Sequence, residues 1–157
     1  MGEWSRWATS TVALLSLAAP TYAVEYLTIP QAQKLAFPAA THFVEAQSGR
    51  IWKAQAGDRP IGLFIFDRVI GKHLYIDYAV ALEPTGRVHR VEILQYRESY
   101  GGEVRDQSWL SQFVGKTGGS SLEVGKDIRN ISGATLSSHH VTEGVKRILA
   151  IYGHQSR

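Results

Sequence analysis

Toward the end of the chain, Val141, Val145, Ile148, Leu149 and Tyr152 recur at spacings of three and four, which places them on one face of a helix. The pattern predicts a helix over residues 138–152. The stretch before it, residues 127–137, is small and polar, so a loop runs into this helix and Ser132, Gly133, Ala134 and Thr135 stand near the junction. Further upstream the period changes. Residues 63–66 are apolar strand formers, and residues 73–82 and 88–96 are rich in β-branched and aromatic side chains. Between the last two lies Glu83-Pro84-Thr85-Gly86, with Pro and Gly where a hairpin turn favours them. Residues 61–98 therefore predict an antiparallel sheet, with Gly71-Lys72 as one of its turns.

The flanks add shorter elements. Pro30 suits the first turn of a helix, and Pro38 ends one, which predicts a short helix within residues 31–37. A second helical piece is predicted over residues 42–46, then a turn at Ser48-Gly49, a strand from Ile51 to Ala54, and a loop over residues 56–60. Trp109, Leu110 and Phe113 share a face, so residues 106–113 predict a short helix ended by Gly115. Residues 122–128 predict a last strand. The sum is a single α+β domain, a twisted antiparallel sheet of about four to six strands packed by the C-terminal helix and by shorter helices.

Composition narrows the chemistry. With 157 residues and 44% hydrophobic content, the chain can bury a sizeable core. The net charge is +3, but Arg87, Arg90 and Glu92 typify how bases and acids interleave, and no basic stripe suggests a nucleic-acid partner. The chain has no cysteine, which excludes disulfides, thiolate-held zinc, iron–sulfur clusters and thioether-linked haem. Residues 1–23 read as a secretory signal: Arg6 near the start, an apolar run over residues 12–19, Pro20, then Thr21-Tyr22-Ala23 with small residues at the −3 and −1 places. An uncleaved membrane anchor is the other reading of that segment. The mature domain is then residues 24–157, in the periplasm or at the outer face of the inner membrane.

Several small motifs compete for attention. Gly115-Lys116-Thr117 lacks the earlier glycine of a nucleotide loop, since Leu110 occupies that place. His139 and His140 are adjacent, and neighbours on a helix point about 100° apart, so surface positions are expected rather than a metal site. His73 and His89 fall in paired strands and could face each other. Trp52 and Trp109 are expected in the core. No nucleophile–base pair is recognisable, so no catalytic residue and no metal ligand is assigned.

The junction is the strongest signal. A helix start carries free N–H groups and the positive end of the macrodipole, which suits a phosphate, and Gly133 and Ala134 leave room for one. A helix start with no ligand is the alternative. Ser132-Gly133-Ala134-Thr135-Leu136-Ser137-Ser138 is similar to the attachment motif of the FMN-binding domain family, which includes flavin-carrying subunits of Rnf-type and sodium-pumping NADH:quinone reductase complexes. Glu98-Ser99-Tyr100-Gly101-Gly102-Glu103 resembles the family's acidic strand end, and Phe113-Val114-Gly115-Lys116 its F-x-G-K segment. The resemblance covers residues 71–151. It implies FMN joined to Thr135 through a phosphoester bond by a flavin transferase, with Ser132, Gly133, Ala134, Leu136 and Ser137 along the phosphate and ribityl chain. Glu98, Ser99, Gly101 and Gly102 would close the pocket, and Asp127 would hold the loop by accepting N–H bonds. Electrons would be exchanged with a membrane-bound oxidoreductase, so the chain reads as a carrier or subunit rather than a free-standing enzyme. Arg129 stands where the family commonly has an acid. That departure keeps open a flavin-free docking or sensing module of the same fold.

Overall fold

The computed structural model describes residues 24–154. The segment read as a secretory signal, residues 1–23, lies outside the described residues. Strand β1 is Val24–Glu25, followed by helix α1, Ile29–Ala36. Strands β2 (His42–Gln47), β3 (Ile51–Ala56), β4 (Arg59–Ile70), β5 (Tyr75–Leu82) and β6 (Val88–Tyr96) then run as a meander. Helix α2 is Gln107–Leu110 and helix α3 is Thr135–Tyr152. The six strands form one antiparallel sheet in the order β1-β6-β5-β4-β3-β2. The expected α+β class and the antiparallel sheet are therefore what the chain adopts.

Alternation along the strands makes two cores. On β5, Tyr78, Val80 and Leu82 join the cluster that includes Val141, Val145, Ile148 and Leu149 of α3, while Ala79 and Ala81 join the cluster of α1. The residues under α1 are small where the helix side comes closest. A Cβ on Gly62 would stand 2.4 Å from the Phe37 ring. Helix α1 starts on a capping box, with the Thr28 oxygen accepting from Gln31 N–H and the Gln31 side chain accepting from Thr28 N–H. Among the described residues, no helix is long and apolar enough to cross a membrane.

Three local expectations fail. Residues 42–46 form the strand β2, not a helix: they lie along β3, and the pairing supplies the backbone partners that a five-residue helix would lack. Residues 56–60 are not an open loop but a tight turn at Gly57-Asp58, with Arg59 and Pro60 already in β4. Residues 122–128 make no strand. Only the bridge Val124–Ile128 forms, Gly125 takes φ +89°, and the Asp127 carboxylate folds the segment back on itself. The C-terminal helix also begins three residues earlier than its apolar pattern suggested, at Thr135.

The link from β6 to α3 closes the end of the α3 side of the sheet. A 3₁₀ turn at Gly102–Arg105 leads into α2, and Trp109, Leu110 and Phe113 are buried beneath it as expected. Trp109 sits edge-on to Phe113 at 5.2 Å and donates its Nε1–H to Arg129 O at 2.8 Å. Trp52 is partly buried against the α1 cluster, edge-on to Phe64.

Candidate functional site

The loop before α3 is shaped by one glycine. Ala134 N–H donates to Ile131 O at 3.0 Å, and Gly133 takes φ +81° at the third position of that turn, a conformation that side-chain-bearing residues avoid. The turn delivers the chain into α3 with Ala134 as its cap residue and no side chain capping the helix. Thr135, Leu136 and Ser137 are its first three residues, so their N–H groups have no carbonyl one turn back to bond. Thr135 and Leu136 are exposed, and Ser137 and Ser138 are buried. Ser138 Oγ donates to Thr135 O at 2.9 Å and contacts Asn130 Oδ1 at 3.2 Å, which ties the first turn to the loop.

A cavity of about 460 Å³ opens above this turn. That is within the roughly 300–1,000 Å³ usual for small-molecule sites. Gly133, Ala134, Thr135, Leu136 and Ser137 form one wall, and Lys72, His73, Glu98, Ser99 and Tyr100 form the other. A second depression of about 430 Å³ shares Glu98, Ser99 and Tyr100 and extends to Gly101, Gly102 and Arg105. Nine of the eleven residues expected at the site thus fall on these two depressions. Ser132 is exposed just outside the wall, and Asp127 lines neither depression.

The two walls are joined at Gly101. This residue has φ +86°, and a Cβ on it would stand 2.5 Å from Ala134 Cβ and 2.7 Å from Tyr96 Oη. Glycine is needed there twice over, for its φ and for the contact. Tyr96 completes the joint: its hydroxyl donates to Tyr100 O and lies 3.1 Å from Ser137 Oγ. Burial pushes the Tyr96 phenol up from its ordinary range, which keeps it protonated and able to donate.

Glu98 fastens the opposite wall. Its carboxylate accepts from His73 N–H at 2.5 Å and Leu74 N–H at 2.8 Å, inside the turn that Gly71 N–H closes on Leu74 O. A Cβ on Gly71 would stand 2.8 Å from Glu98 Oε1, so a side chain there would crowd the carboxylate. Burial opposes ionisation of Glu98, but the N–H groups of His73, Leu74 and Lys72 outweigh it and hold the carboxyl below its usual range. His140 reaches the same turn from α3, with Nδ1 2.6 Å from Ile70 O. A carbonyl only accepts, so Nδ1 carries the hydrogen. His139 is exposed. His73 and His89 do not meet: His73 lies in the turn before β5, and His89 stacks on Phe37 at 5.5 Å on the α1 side.

Asp127 does accept N–H bonds, but from Leu122 and Glu123 rather than from the loop at Thr135. The Glu123 N–H above all, with Lys116 Nζ at 3.0 Å, holds its carboxyl far below the ordinary range. Arg129 is drawn away from the site: its guanidinium donates to Ser108 O of α2 at 2.9 Å and its backbone N–H to Gln112 Oε1, just beyond α2, at 2.8 Å. Sequence reasoning missed Lys72, His73, Tyr96 and Tyr100. The nearest signal was Gly71, which marked a turn but not what the turn would enclose.

The residues present fit FMN. An uncapped helix start offers three N–H groups to a phosphate, Thr135 sets a hydroxyl beside them, and the cavity is large enough for a ring system. No curated protein matches the chain. Residues 71–150, just over half of its 157 residues, match the FMN-binding domain. The matched segment spans both walls, from the turn at Gly71 to the body of α3, and by that match the chain belongs to the FMN-binding domain family.

Proposed function

We propose that this protein is an exported electron carrier whose FMN is joined to Thr135 through a phosphoester bond made by a flavin transferase. It exchanges electrons with a membrane-bound oxidoreductase at the periplasmic face. The observation that carries the reading is the position of Thr135: an exposed hydroxyl on the first residue of an uncapped 18-residue helix, on the wall of a cavity inside the family-matched segment. FMN, when bound, supplies the electron-accepting chemistry that no side chain here provides. The chain's own groups hold and shield it. The N–H groups of Thr135, Leu136 and Ser137 face the phosphodiester, whose charge the helix end stabilises by about 0.3–1 kcal/mol. Glu98 fastens the facing wall through the turn at Gly71, and Tyr96 ties that wall to Ser137. Export rests on the apolar run and small-residue site of residues 1–23.

The flavin-free docking module remains the second reading, favoured by Arg129 in place of the usual acid. Intact-mass measurement separates the two. Wild-type protein exported by a host with an active flavin transferase should gain the mass of FMN less one water. Thr135→Ala should gain nothing and keep its fold, since the Thr135 side chain is exposed. Thr135→Ser should keep part of the modification. Wild type without added mass refutes covalent attachment, and Thr135→Ala with added mass refutes the site.

A further inference from the structure

The turn between β4 and β5 is held from two sides. Beneath it, Glu98 accepts the N–H groups of Lys72, His73 and Leu74. Behind it, His140 donates to Ile70 O. With the backbone of the turn committed in this way, Lys72 and His73 line the cavity across from Thr135. Glu98 is the one carboxylate on that lining; its Oε1 accepts from the turn, and its Oε2 lies 4.0 Å from His73 Nδ1. Among the described residues, no carboxylate pairs with the Lys72 ammonium.

Resting on the reading of Thr135 as the FMN attachment point, we infer that Lys72 is the residue that sets the reduction potential of the bound flavin. A phosphate joined to Thr135 would sit on the wall with the helix N–H groups, and the ring it carries would lie toward the facing wall. Two electrons and one proton enter that ring on reduction, from a membrane-bound oxidoreductase in the proposed function or from dithionite at the bench. The ring then carries one more negative charge than before. The Lys72 ammonium on the cavity lining lowers the free energy of that charged form relative to the neutral one. Lys72 thus makes the flavin easier to reduce, against the opposing field of the Glu98 carboxylate. It acts on the cofactor's energetics and takes no part in bond making.

The test is the midpoint potential of flavin-bearing protein for wild type, Lys72→Met and Lys72→Arg. Potentials are read only from the flavin-bearing fraction, so a change in attachment yield does not enter. Lys72→Met should shift the reduced-to-oxidised ratio at fixed potential about tenfold toward the oxidised form, a fall of about 30 mV for a two-electron couple. Lys72→Arg should keep most of the wild-type value, because the charge stays. The near- and far-ultraviolet circular dichroism of each variant reports that the fold is kept. A Lys72→Met potential equal to wild type overturns the inference while leaving the attachment reading intact, and so does a Lys72→Arg potential as low as that of Lys72→Met. A loss of attachment with no change in potential assigns Lys72 to the phosphate instead and also overturns it. Wild-type protein that never gains FMN mass sinks the reading of the site, and this inference falls with it.

Discussion

Glu98 does its work as an acceptor. Its side chain is only 9% exposed, and the N–H groups of the turn at Gly71 replace the water it gives up. Because those bonds hold its carboxyl below the ordinary value of 4.5, the folded protein binds fewer protons than the unfolded chain once the pH falls under that value. The contribution of Glu98 to stability is therefore complete at neutral pH and fades as the pH drops below 4.5. Glu98→Gln keeps the shape but loses the charge. It should be less stable than wild type at neutral pH by roughly 1 kcal/mol, the difference between hydrogen bonds to a charged and to a neutral acceptor. The gap should close on acidification. Urea unfolding at neutral pH and at a pH below 4.5 measures it, and a gap that stays constant with pH means that Glu98 titrates normally. At this scale the sequence said much about the α3 wall, since Gly133 and Thr135 sit in a short contiguous motif. It said little about the facing wall, because Lys72 and His73 reach the cavity only through a turn shaped by a glutamate distant in the chain.

Among the elements, α3 carries an apparent contradiction. Gly144 lies in the middle of the helix, where glycine costs about 1 kcal/mol relative to alanine. The packing explains it: a Cβ at that place would stand 2.3 Å from Tyr78 Oη. Tyr78 is fully buried and donates to Asp67 Oδ2 at 3.1 Å, and Asp67 in turn pairs with Arg147 of α3, so the ring has nowhere to go. Overpacking typically costs about 1–3 kcal/mol, which outweighs the helix preference. Gly144→Ala should lower the melting temperature despite its better propensity, and calorimetry showing a more stable variant would remove the explanation. The apolar periods of α3 and of β4 to β6 were legible because both faces of the sheet are covered there. β2 was not, because at the sheet edge most of its side chains are exposed and leave no alternating pattern to read. Residues 122–128 look like a strand by composition, but what shapes them is the Asp127 carboxylate turning back to Leu122 and Glu123, a contact no periodicity encodes.

For the whole molecule, the boundary of the family match cuts through the architecture. Residues 71–150 begin after β4, yet β4 pairs with β5 from Leu63 to Ile70 and supplies Ile65 and Val69 to the core beneath α3. Residues 71–150 produced alone should therefore show no cooperative thermal transition by circular dichroism, whereas residues 24–157 should. A sharp transition in the shorter piece would mean that β4 and its neighbours are dispensable. The meeting of Gly101 with Ala134 has a consequence of another kind. These two residues are far apart in the chain and meet only where α3 packs on the sheet, so the joint between the walls belongs to the assembled fold. If FMN is joined at Thr135 by an enzyme that contacts both walls, unassembled chain would not be its substrate. Attachment at Thr135 would then mark each molecule as having completed its assembly, a maturation stamp that only the native shape can receive.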